Sequence, residues 1–494
     1  MKKYLLGIDI GTSACKAAVF DFGGNVIAAE SGAYNVYNPA PGWAEQSPNE
    51  WWDVLCVTLK SLFTQVSADE IAGIGVDGQS WSAIPISKSG AVLHNTPIWY
   101  DTRSAEICEE IKNTVGEEKV FELCGNPLQP TYTLPKILWY KKHRPDVYLF
   151  IDKILQSNSF IVYKLTGALT QDLSQGYGYH CFDMRNGMWD ADMCGKLGID
   201  MNMLPDIFPC HQVVGKVTES AAKLTGLAVG TPVVAGGLDA ACGTLGAGVI
   251  ANGETQEQGG QAGGMSCCID SYHADMRLIL SYHVVPDHWL LQGGTVGGGG
   301  VYKWFKSNFT DDNISFAELD SLAAKIAAGS DGVVFLPYMS GERSPIWDAA
   351  AKGVFYGLDY TKTMAHMARS CLEGAAFSLL HNIEIAEACG VEINELRAMG
   401  GAANSRLWTQ IKSDITGKNI TVPSADTATT LGAAILAGVG TGIYEDFTDA
   451  VAKTVKTTRN HAPDTGNDHA YRKNYKIYLE LYNSLKHIMR DGVN

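Results

Sequence analysis

The sequence predicts an α/β protein of two domains, and three observations support this prediction. The chain has 494 residues, which is too many for one hydrophobic core and fits two large domains or three of ordinary size. Short apolar runs typical of buried strands alternate with helical patterns. A pattern of strand, glycine turn and strand near the start of the chain has a weak echo at residues 255–269. We therefore expect an N-terminal domain over residues 1–248 and a C-terminal domain over residues 249–494.

Composition and charge narrow the class of protein. Hydrophobic residues make up 46% of the chain and charged residues 18%, which is typical of a large, well-buried globular protein. The 38 basic and 53 acidic residues give a net charge of −15, which argues against a nucleic-acid or anionic-membrane partner. Asp9 interrupts the first apolar run, and no later run reaches the length of a membrane helix. We expect a cytoplasmic protein with reduced cysteines.

Asp239 is one carboxylate in a run of otherwise small or apolar residues, 233–248. Val233 and Val234 are predicted to end a buried strand, and a glycine pair then lets the backbone turn toward a helix. An ionised carboxylate in an apolar setting is costly unless it has partners. Asp239 is therefore either the cap of that helix or a functional residue of an active site.

A glycine turn follows the first predicted strand. Gly11, Thr12 and Ser13 can present consecutive backbone N–H groups and hydroxyls to an anion. Asp9 ends the strand, where it could hold a metal ion through water, and Lys16 stands in the next strand. An ordinary hairpin turn is the alternative interpretation.

Two further glycine turns lie in the second half of the chain. Gly263 and Gly264 belong to the echo of the first turn and form a candidate second phosphate cradle. Farther on, a glycine turn leads into a predicted helix whose N-cap is Asn404. Such a turn leaves a flat backbone surface beside N–H groups, which suits an adenosine. A tight structural turn is the alternative in both places. The candidate adenosine-binding residues are Gly400, Gly401, Ala402 and Asn404.

Residues 73–78 match the dinucleotide-binding fingerprint, but we reject that match. The glycines lie within and at the end of a predicted strand, and residues 80–86 are predicted to form another strand instead of a helix. The region instead gathers polar and aromatic side chains around Trp81, and residues 99–103 add more. Aromatic faces with a few directed polar groups suit a sugar. Core packing of Trp81 and a surface ion pair within residues 99–103 are the alternatives.

The combination is more informative than any single motif. Two candidate anion turns, a lone carboxylate between them and a capped glycine turn downstream are together typical of an ATP-dependent phosphotransferase on a duplicated actin-like scaffold. An actin-like ATPase clamp that acts on a protein partner is the alternative from another class. A dinucleotide oxidoreductase is a third, weaker hypothesis.

With these motifs in place, the chain resembles the FGGY carbohydrate kinases from end to end, and among them it looks most similar to the xylulokinases. The similarity is carried by short stretches spaced along the whole sequence. They are Gly7–Lys16, Gly78–Gln79, Trp99–Arg103, Leu134–Trp139, Val233–Gly248, Leu336–Pro345, Lys352–Gly357 and Gly400–Arg406.

The resemblance implies two ribonuclease-H-like domains of the actin-like ATPase type around a central cleft. It implies ATP and Mg²⁺ as cofactors and a small-molecule sugar as acceptor, with D-xylulose as the first candidate and ribulose, erythritol or gluconate as alternatives. A homodimer is compatible with it. Asp239 would be the general base that takes a proton from a sugar hydroxyl, and Asp9 would organise Mg²⁺ through water.

The resemblance also implies roles for the remaining candidates. The sugar would contact Gln79, Ser80, Trp81, Asp101, Arg103 and Asp239. The phosphates would contact Gly11, Thr12, Ser13, Lys16, Gly263 and Gly264. The adenine would be bordered by Gly400, Gly401, Ala402 and Asn404, with Arg406.

Two departures from the family pattern bear on the substrate. Xylulokinases usually carry Met-His where this chain has Ser80 and Trp81, so a larger indole with one donor replaces an imidazole. The second turn has Gln-Ala-Gly-Gly where relatives commonly have Gly-Thr-Ser-Gly, which removes a hydroxyl but keeps the backbone donors. We therefore expect a different sugar, or one bound in a different orientation.

Overall fold

In the N-terminal half, apolar runs bounded by glycine or polar turns form the strands, and amphipathic runs form the helices. The computed structural model describes residues 2–311, 313–424 and 427–491. The strands are β1 (Tyr4–Ile10), β2 (Ala14–Asp21), β3 (Val26–Ala33), β4 (Glu45–Gln46), β5 (Ile71–Gly78), β6 (Ile84–Ile86), β7 (Thr96–Pro97), β8 (Lys153–Leu155), β9 (Thr170–Asp172), β10 (Phe182–Asp183), β11 (Met188–Trp189), β12 (Asp206–Phe208), β13 (Val213–Lys216), β14 (Pro232–Val234) and β15 (Gly237–Leu238). The helices are α1 (Pro48–Leu62), α2 (Ala105–Thr114), α3 (Glu117–Cys124), α4 (Thr133–His143), α5 (Pro145–Tyr148), α6 (Ser157–Thr166), α7 (Ala191–Leu197), α8 (Glu219–Thr225) and α9 (Asp239–Gly246).

The C-terminal half repeats this alternation with longer helices. Its strands are β16 (Glu254–Gly259), β17 (Gly263–Ile269), β18 (Ile279–Tyr282), β19 (Trp289–Thr295), β20 (Val334–Leu336), β21 (Val354–Tyr356), β22 (Glu395–Met399), β23 (Asn419–Pro423) and β24 (Thr457–His461). Its helices are α10 (Gly299–Phe309), α11 (Phe316–Ala323), α12 (Met364–Ala388), α13 (Arg406–Thr416), α14 (Ala428–Gly440), α15 (Phe447–Thr454) and α16 (Asp468–Asp491). Within the described residues, no helix has both the length and the apolar character needed to cross a membrane.

The two large sheets have the same core topology. In the N-terminal sheet the order is β13-β14-β5-β1-β2-β3, with β1 antiparallel to β2 and parallel to β5. In the C-terminal sheet the order is β18-β19-β17-β16-β22-β23-β24, with β16 antiparallel to β17 and parallel to β22. The glycine turns lie at the same place in both sheets, between the first two strands. The predicted α/β architecture with an internal repeat is therefore confirmed.

Helix α14 comes from the C-terminal half of the sequence but lies against the N-terminal sheet. Two glycines in that sheet allow its backbone to approach closely. A Cβ atom at Gly75 would lie 1.9 Å from the carbonyl oxygen of Ala433, and one at Gly7 would lie 1.9 Å from that of Thr430. The same helix packs along α9, the helix that begins at Asp239. The domain boundary at residue 248 stays a prediction.

Two local predictions were wrong. The strand predicted over residues 80–86 is limited to β6, because Trp81 adopts a left-handed backbone conformation with φ of 60°. The rejection of the dinucleotide fingerprint is confirmed, because no helix follows residues 73–78.

The second wrong prediction is the N-cap of α13. The N-cap is Ser405 and not Asn404, because Asn404 ends a short 3₁₀ turn. The Ser405 hydroxyl accepts a hydrogen bond from the Trp408 N–H at 3.0 Å.

Candidate active site

A cavity of about 430 Å³ lies between the two halves, and its walls come from both. Nine of the predicted site residues line it. They are Asp9, Gly11, Thr12, Lys16, Ser80, Trp81, Asp239, Gly263 and Gly264. Ser13 lies on the exposed side of its turn. The lining also contains polar residues that the sequence did not single out, namely Tyr177, Gln256, Gln258, Gln292 and Arg343.

Asp239 is the first residue of α9, immediately after β15. The N-cap of this helix is Leu238, so the structure does not use Asp239 as the cap. One carboxylate oxygen of Asp239 accepts a hydrogen bond from the Ala240 N–H at 2.6 Å. Burial, and secondarily the negative charge of Asp9, raise the pKa of Asp239 to about 7. This carboxylate can therefore accept a proton near neutral pH.

Three carboxylates converge at the carboxyl ends of β1 and β5. Strand pairing places Asp9 beside Asp77, and β15 brings the start of α9 to the same edge. Among the residues that the structure describes, no amide, hydroxyl or cationic donor reaches Asp9 Oδ1 or either Asp77 oxygen. Burial and the charge of Asp9 raise the pKa of Asp77 well above its ordinary value. The Nζ atom of Lys16 lies 3.4 Å from Asp9 Oδ2 and partly offsets this negative charge.

Gln79 lies beneath the first glycine turn instead of lining the cavity. Its backbone N–H donates to the Ile10 carbonyl at 2.9 Å, which continues the pairing of β5 with β1. Its side chain donates to Gln46 Oε1 at 2.7 Å, and Gln46 Nε2 donates to the Thr12 carbonyl at 2.8 Å. Trp99 Nε1 also donates to Thr12 Oγ1 at 2.9 Å. Gln79 therefore supports the turn, and its expected contact with the sugar stays a prediction.

Trp81 forms an aromatic wall of the cavity. Its ring stacks on Tyr132 with centroids 4.1 Å apart and meets Tyr177 edge-on at 5.9 Å. The indole Nε1 is buried and has no hydrogen-bond acceptor among residues 2–311, 313–424 and 427–491. The wall is therefore rigid and contains one unused donor.

Lys136 in α4 fixes that wall from behind and was missed by the sequence reasoning. Its fully buried ammonium donates to the carbonyl of Trp81 and to the carbonyl of Ile98, each at 2.8 Å. Burial lowers the pKa of Lys136 to about 7. The available signal was a lysine within the otherwise apolar stretch Leu134–Trp139. Trp99 also lines the cavity, and Ile98 immediately precedes it. The Lys136 side chain therefore fixes the backbone at both aromatic residues, Trp81 and Trp99.

Asp101 and Arg103 lie outside the cavity, which differs from the expected contact with the sugar. The Arg103 guanidinium bonds both Asp101 oxygens and reaches Glu45 Oε2 at 2.8 Å. It stacks over Trp43, with 4.1 Å from Cζ to the ring centroid, and Trp139 flanks it. The pair is not a surface ion pair, because these aromatic rings and Glu45 enclose it, and its contact with the sugar stays a prediction.

The second glycine turn is crossed by the start of α10. Gly263 and Gly264 open β17, where Gly264 pairs with Gly294 of β19. A Cβ atom at Gly298 would lie 2.2 Å from the carbonyl carbon of Ala262, so only glycine allows this approach. Gly263 and Gly264 expose backbone at the cavity wall, because neither residue has a side chain.

The predicted adenosine turn lies beside the second glycine turn but outside the cavity described above. Gly400 has φ of 82°, and a Cβ atom there would lie 2.8 Å from the Gly259 carbonyl oxygen. Ala402 is buried, while Gly401 and Asn404 are exposed. The turn therefore leaves an open backbone surface next to the cleft.

Comparison with known proteins extends these observations. The N-terminal domain model of the FGGY family of carbohydrate kinases matches residues 4–246, and the C-terminal domain model matches residues 274–441. The chain is 34% identical to a xylulose kinase of Staphylococcus epidermidis, with 99% of each chain covered. It is 29% identical to a gluconokinase of Bacillus subtilis, with 97% of this chain and 96% of that protein covered.

A solved structure shows the same similarity in three dimensions. The xylulose kinase of Rhodospirillum rubrum matches with a TM-score of 0.92 at 30% identity, over 99% of this chain and 100% of that chain. The fold is therefore the two-domain actin-like ATPase fold of these kinases, and the protein is a sugar kinase. The chain belongs to the FGGY family of carbohydrate kinases.

Proposed function

We propose that this kinase transfers the γ-phosphoryl group of ATP to a hydroxyl of a ketopentose-like sugar, with D-xylulose as the leading candidate. One observation carries the proposal. Asp239 opens α9 in the same cavity that both glycine turns line. The xylulose kinases among the relatives support the choice of sugar.

Asp239 is the proposed general base. A base is most effective when its pKa lies near the working pH, and the pKa of Asp239 is raised to about 7. Its carboxylate would take the proton of the sugar hydroxyl as that oxygen attacks the γ-phosphorus atom. Phosphoryl transfer depends mainly on in-line positioning and charge neutralisation, so one base and fixed donors are sufficient.

The glycine turns are the proposed phosphate sites. Gly11 and Thr12 would present backbone N–H groups from one side, and Gly263 and Gly264 from the other. Lys16 and Ser13 would add donors at the first turn. The adenine would lie against the open backbone of Gly400, Gly401, Ala402 and Asn404, with Arg406 beside it.

The residues at the carboxyl end of β1 fit a divalent cation held through water. Asp9 Oδ1 is buried, and no amide, hydroxyl or cationic donor reaches it in the described part of the chain. Within the described residues, no three or more His, Cys, Asp or Glu side chains are arranged so that they could hold a metal ion by themselves. We propose Mg²⁺, which usually keeps several waters and phosphate ligands. When bound, it would neutralise charge on the phosphates.

The sugar would lie against Ser80, Trp81 and Trp99, whose aromatic faces suit its apolar side. The unused indole N–H of Trp81 would donate to one hydroxyl. Gln79, Asp101 and Arg103, expected to contact the sugar directly, would instead support the surrounding loops.

A sugar acid such as gluconate is the second candidate acceptor. Trp81 supplies a single donor and a large aromatic face, where xylulokinases usually have histidine, and this favours a changed acceptor. Gluconokinases of Bacillus subtilis and Bacillus licheniformis are 29% and 28% identical to this chain.

A coupled assay of ADP release tests the proposal. It would compare D-xylulose, D-ribulose, erythritol and gluconate with a reaction that lacks acceptor, using wild type and Asp239→Asn. We expect strong stimulation by one acceptor class and its loss in the variant. ADP release that no small polyhydroxy compound stimulates would instead favour the ATPase clamp hypothesis.

A further inference from the structure

Arg343 differs from the other enclosed arginines of this protein. Arg103 is paired with Asp101, and Arg369 is paired with Glu373 at 2.8 Å. The Arg343 guanidinium is partly buried in the cavity and makes no side-chain hydrogen bond or ion pair with residues 2–311, 313–424 and 427–491. The carboxylate of Glu342 acts on it electrostatically, but this carboxylate is already bonded to the backbone N–H groups of Val296 and Arg343. A cation shielded from water is costly unless a negative group compensates it. This arrangement points to an anion that the guanidinium meets in the cleft.

The backbone around Arg343 is fixed. Its N–H donates to Glu342 Oε1 at 2.7 Å, and the same oxygen accepts from the Val296 N–H at 2.6 Å. The next residue, Ser344, donates its N–H to the Gly294 carbonyl at 3.0 Å. These bonds anchor the segment to the end of β19, so the backbone from which the Arg343 side chain extends is fixed before any ligand binds.

The guanidinium lies between the two glycine turns. On one side it packs on Gly294, where a Cβ atom would be 3.0 Å from Nη2, and Gly294 pairs with Gly264 of the second turn. On the other side its Cζ lies 5.9 Å from the ring centroid of Trp99. Trp99 in turn donates to Thr12 of the first turn. Both turns and Asp239 line the same cavity as Arg343.

We propose that Arg343 binds the γ-phosphoryl group of ATP and stays in contact with it during transfer. This inference rests on the proposed function. The planar guanidinium offers several N–H donors in a fork that matches phosphate oxygens. During transfer, negative charge is spread over those oxygens, and a positioned cation stabilises it. Arg343 would supply this charge from the C-terminal half, opposite Lys16 of the N-terminal half.

The test compares binding of ATP with binding of ADP, because these nucleotides differ in the γ-phosphate. Isothermal titration without any sugar would be carried out on wild type, Arg343→Met and Arg343→Lys. We expect Arg343→Met to weaken ATP binding by about ten-fold or more and to leave ADP binding within about two-fold. We expect Arg343→Lys, which keeps the charge but loses the fork, to recover part of the affinity for ATP.

Arg277→Met is the matched control. Arg277 lies in the same half of the chain, is about half exposed and pairs with Asp275, so the change should leave both nucleotide affinities unaltered. If Arg343→Met does not fold, the lysine variant carries the same comparison. Steady-state kinetics with the best acceptor should then show a turnover at least about ten-fold below wild type for Arg343→Met.

Two results would overturn the proposal. Equal weakening of ATP and ADP would place Arg343 against another part of the nucleotide. Unchanged nucleotide binding with a raised KM for the sugar alone would make Arg343 an acceptor-binding residue. The comparison needs no sugar, so it remains decisive even if the protein phosphorylates none of the acceptors proposed above.

Discussion

Replacing Asp239 with asparagine should lower turnover and raise stability at the same time. The asparagine keeps the size and shape of the side chain but cannot accept the proton of a sugar hydroxyl. Loss of a general base typically costs 10²–10⁴ in rate, so we expect turnover to fall by about that factor. Affinity for ATP should stay within a few-fold, because the base acts on the acceptor.

The expected stabilisation follows from the pKa of Asp239. The folded protein raises this pKa from 3.8 to about 7, chiefly through burial. Each pKa unit corresponds to about 1.4 kcal/mol, which gives an upper limit of about 4 kcal/mol. The carboxylate opens into the cleft and is partly screened by water, so a gain of about 1–4 kcal/mol is expected.

The expected difference in stability between wild type and Asp239→Asn depends on pH. Below about pH 4 the aspartate is neutral in the folded and unfolded chains, and wild type and variant should have similar stabilities. Between about pH 4 and 7 only the unfolded chain ionises, so the stability of wild type falls relative to that of the variant. Above about pH 7 the difference should become constant. In wild type, kcat/KM should fall as pH decreases through about 7, because the base becomes protonated.

The assays are coupled ADP release across pH 5.5–9 and denaturant unfolding across pH 4–8.5, a range chosen to bracket the pKa of about 7. Asp206→Asn, an exposed change in β12, is the control and should alter neither activity nor stability. Near-normal turnover of Asp239→Asn would remove Asp239 from the mechanism. A variant that is less stable than wild type at pH 8 would refute the argument from burial.

Three further predictions concern the walls and the packing of the cleft. Trp81→His should change the ranking of sugars more than the affinity for ATP in steady-state kinetics, whereas an equal loss for every sugar would mean that Trp81 only packs. Lys136→Met should raise the KM for sugar by about ten-fold or more with little effect on the KM for ATP, because it leaves the carbonyls of Trp81 and Ile98 without their donor. Lys142→Met, an exposed change in the same helix, is the control. A parallel rise in both KM values would contradict the argument. Gly75→Ala should lower the free energy of unfolding by about 1–3 kcal/mol or more, because the added Cβ would lie 1.9 Å from the Ala433 carbonyl oxygen. An unchanged free energy of unfolding in denaturant would show that α14 can move away from β5 at no cost.

Several properties could be predicted from the sequence because they depend on short stretches of chain. Glycine turns between apolar strands predicted the repeated sheet topology, and the resemblance of several short stretches to the FGGY kinases indicated the family. Asp239 was recognisable because a single carboxylate interrupts an apolar run. Residue type and local order contain this information, since strand formation and tight turns depend on neighbours in sequence.

The tertiary structure decided which of the polar candidates face the cleft. Gln79, Asp101 and Arg103 have the residue types of sugar ligands, but long-range hydrogen bonds and aromatic stacking place their side chains outside the cavity lining. Arg343 and Lys136 gain their importance from contacts with residues at least 38 positions away. Burial, pairing and pKa depend on which distant segments meet, and the periodicity of a sequence does not record those meetings. The sequence by itself therefore determined the fold and the kind of chemistry, while only the packing of the two halves determined which charges remain free to perform it.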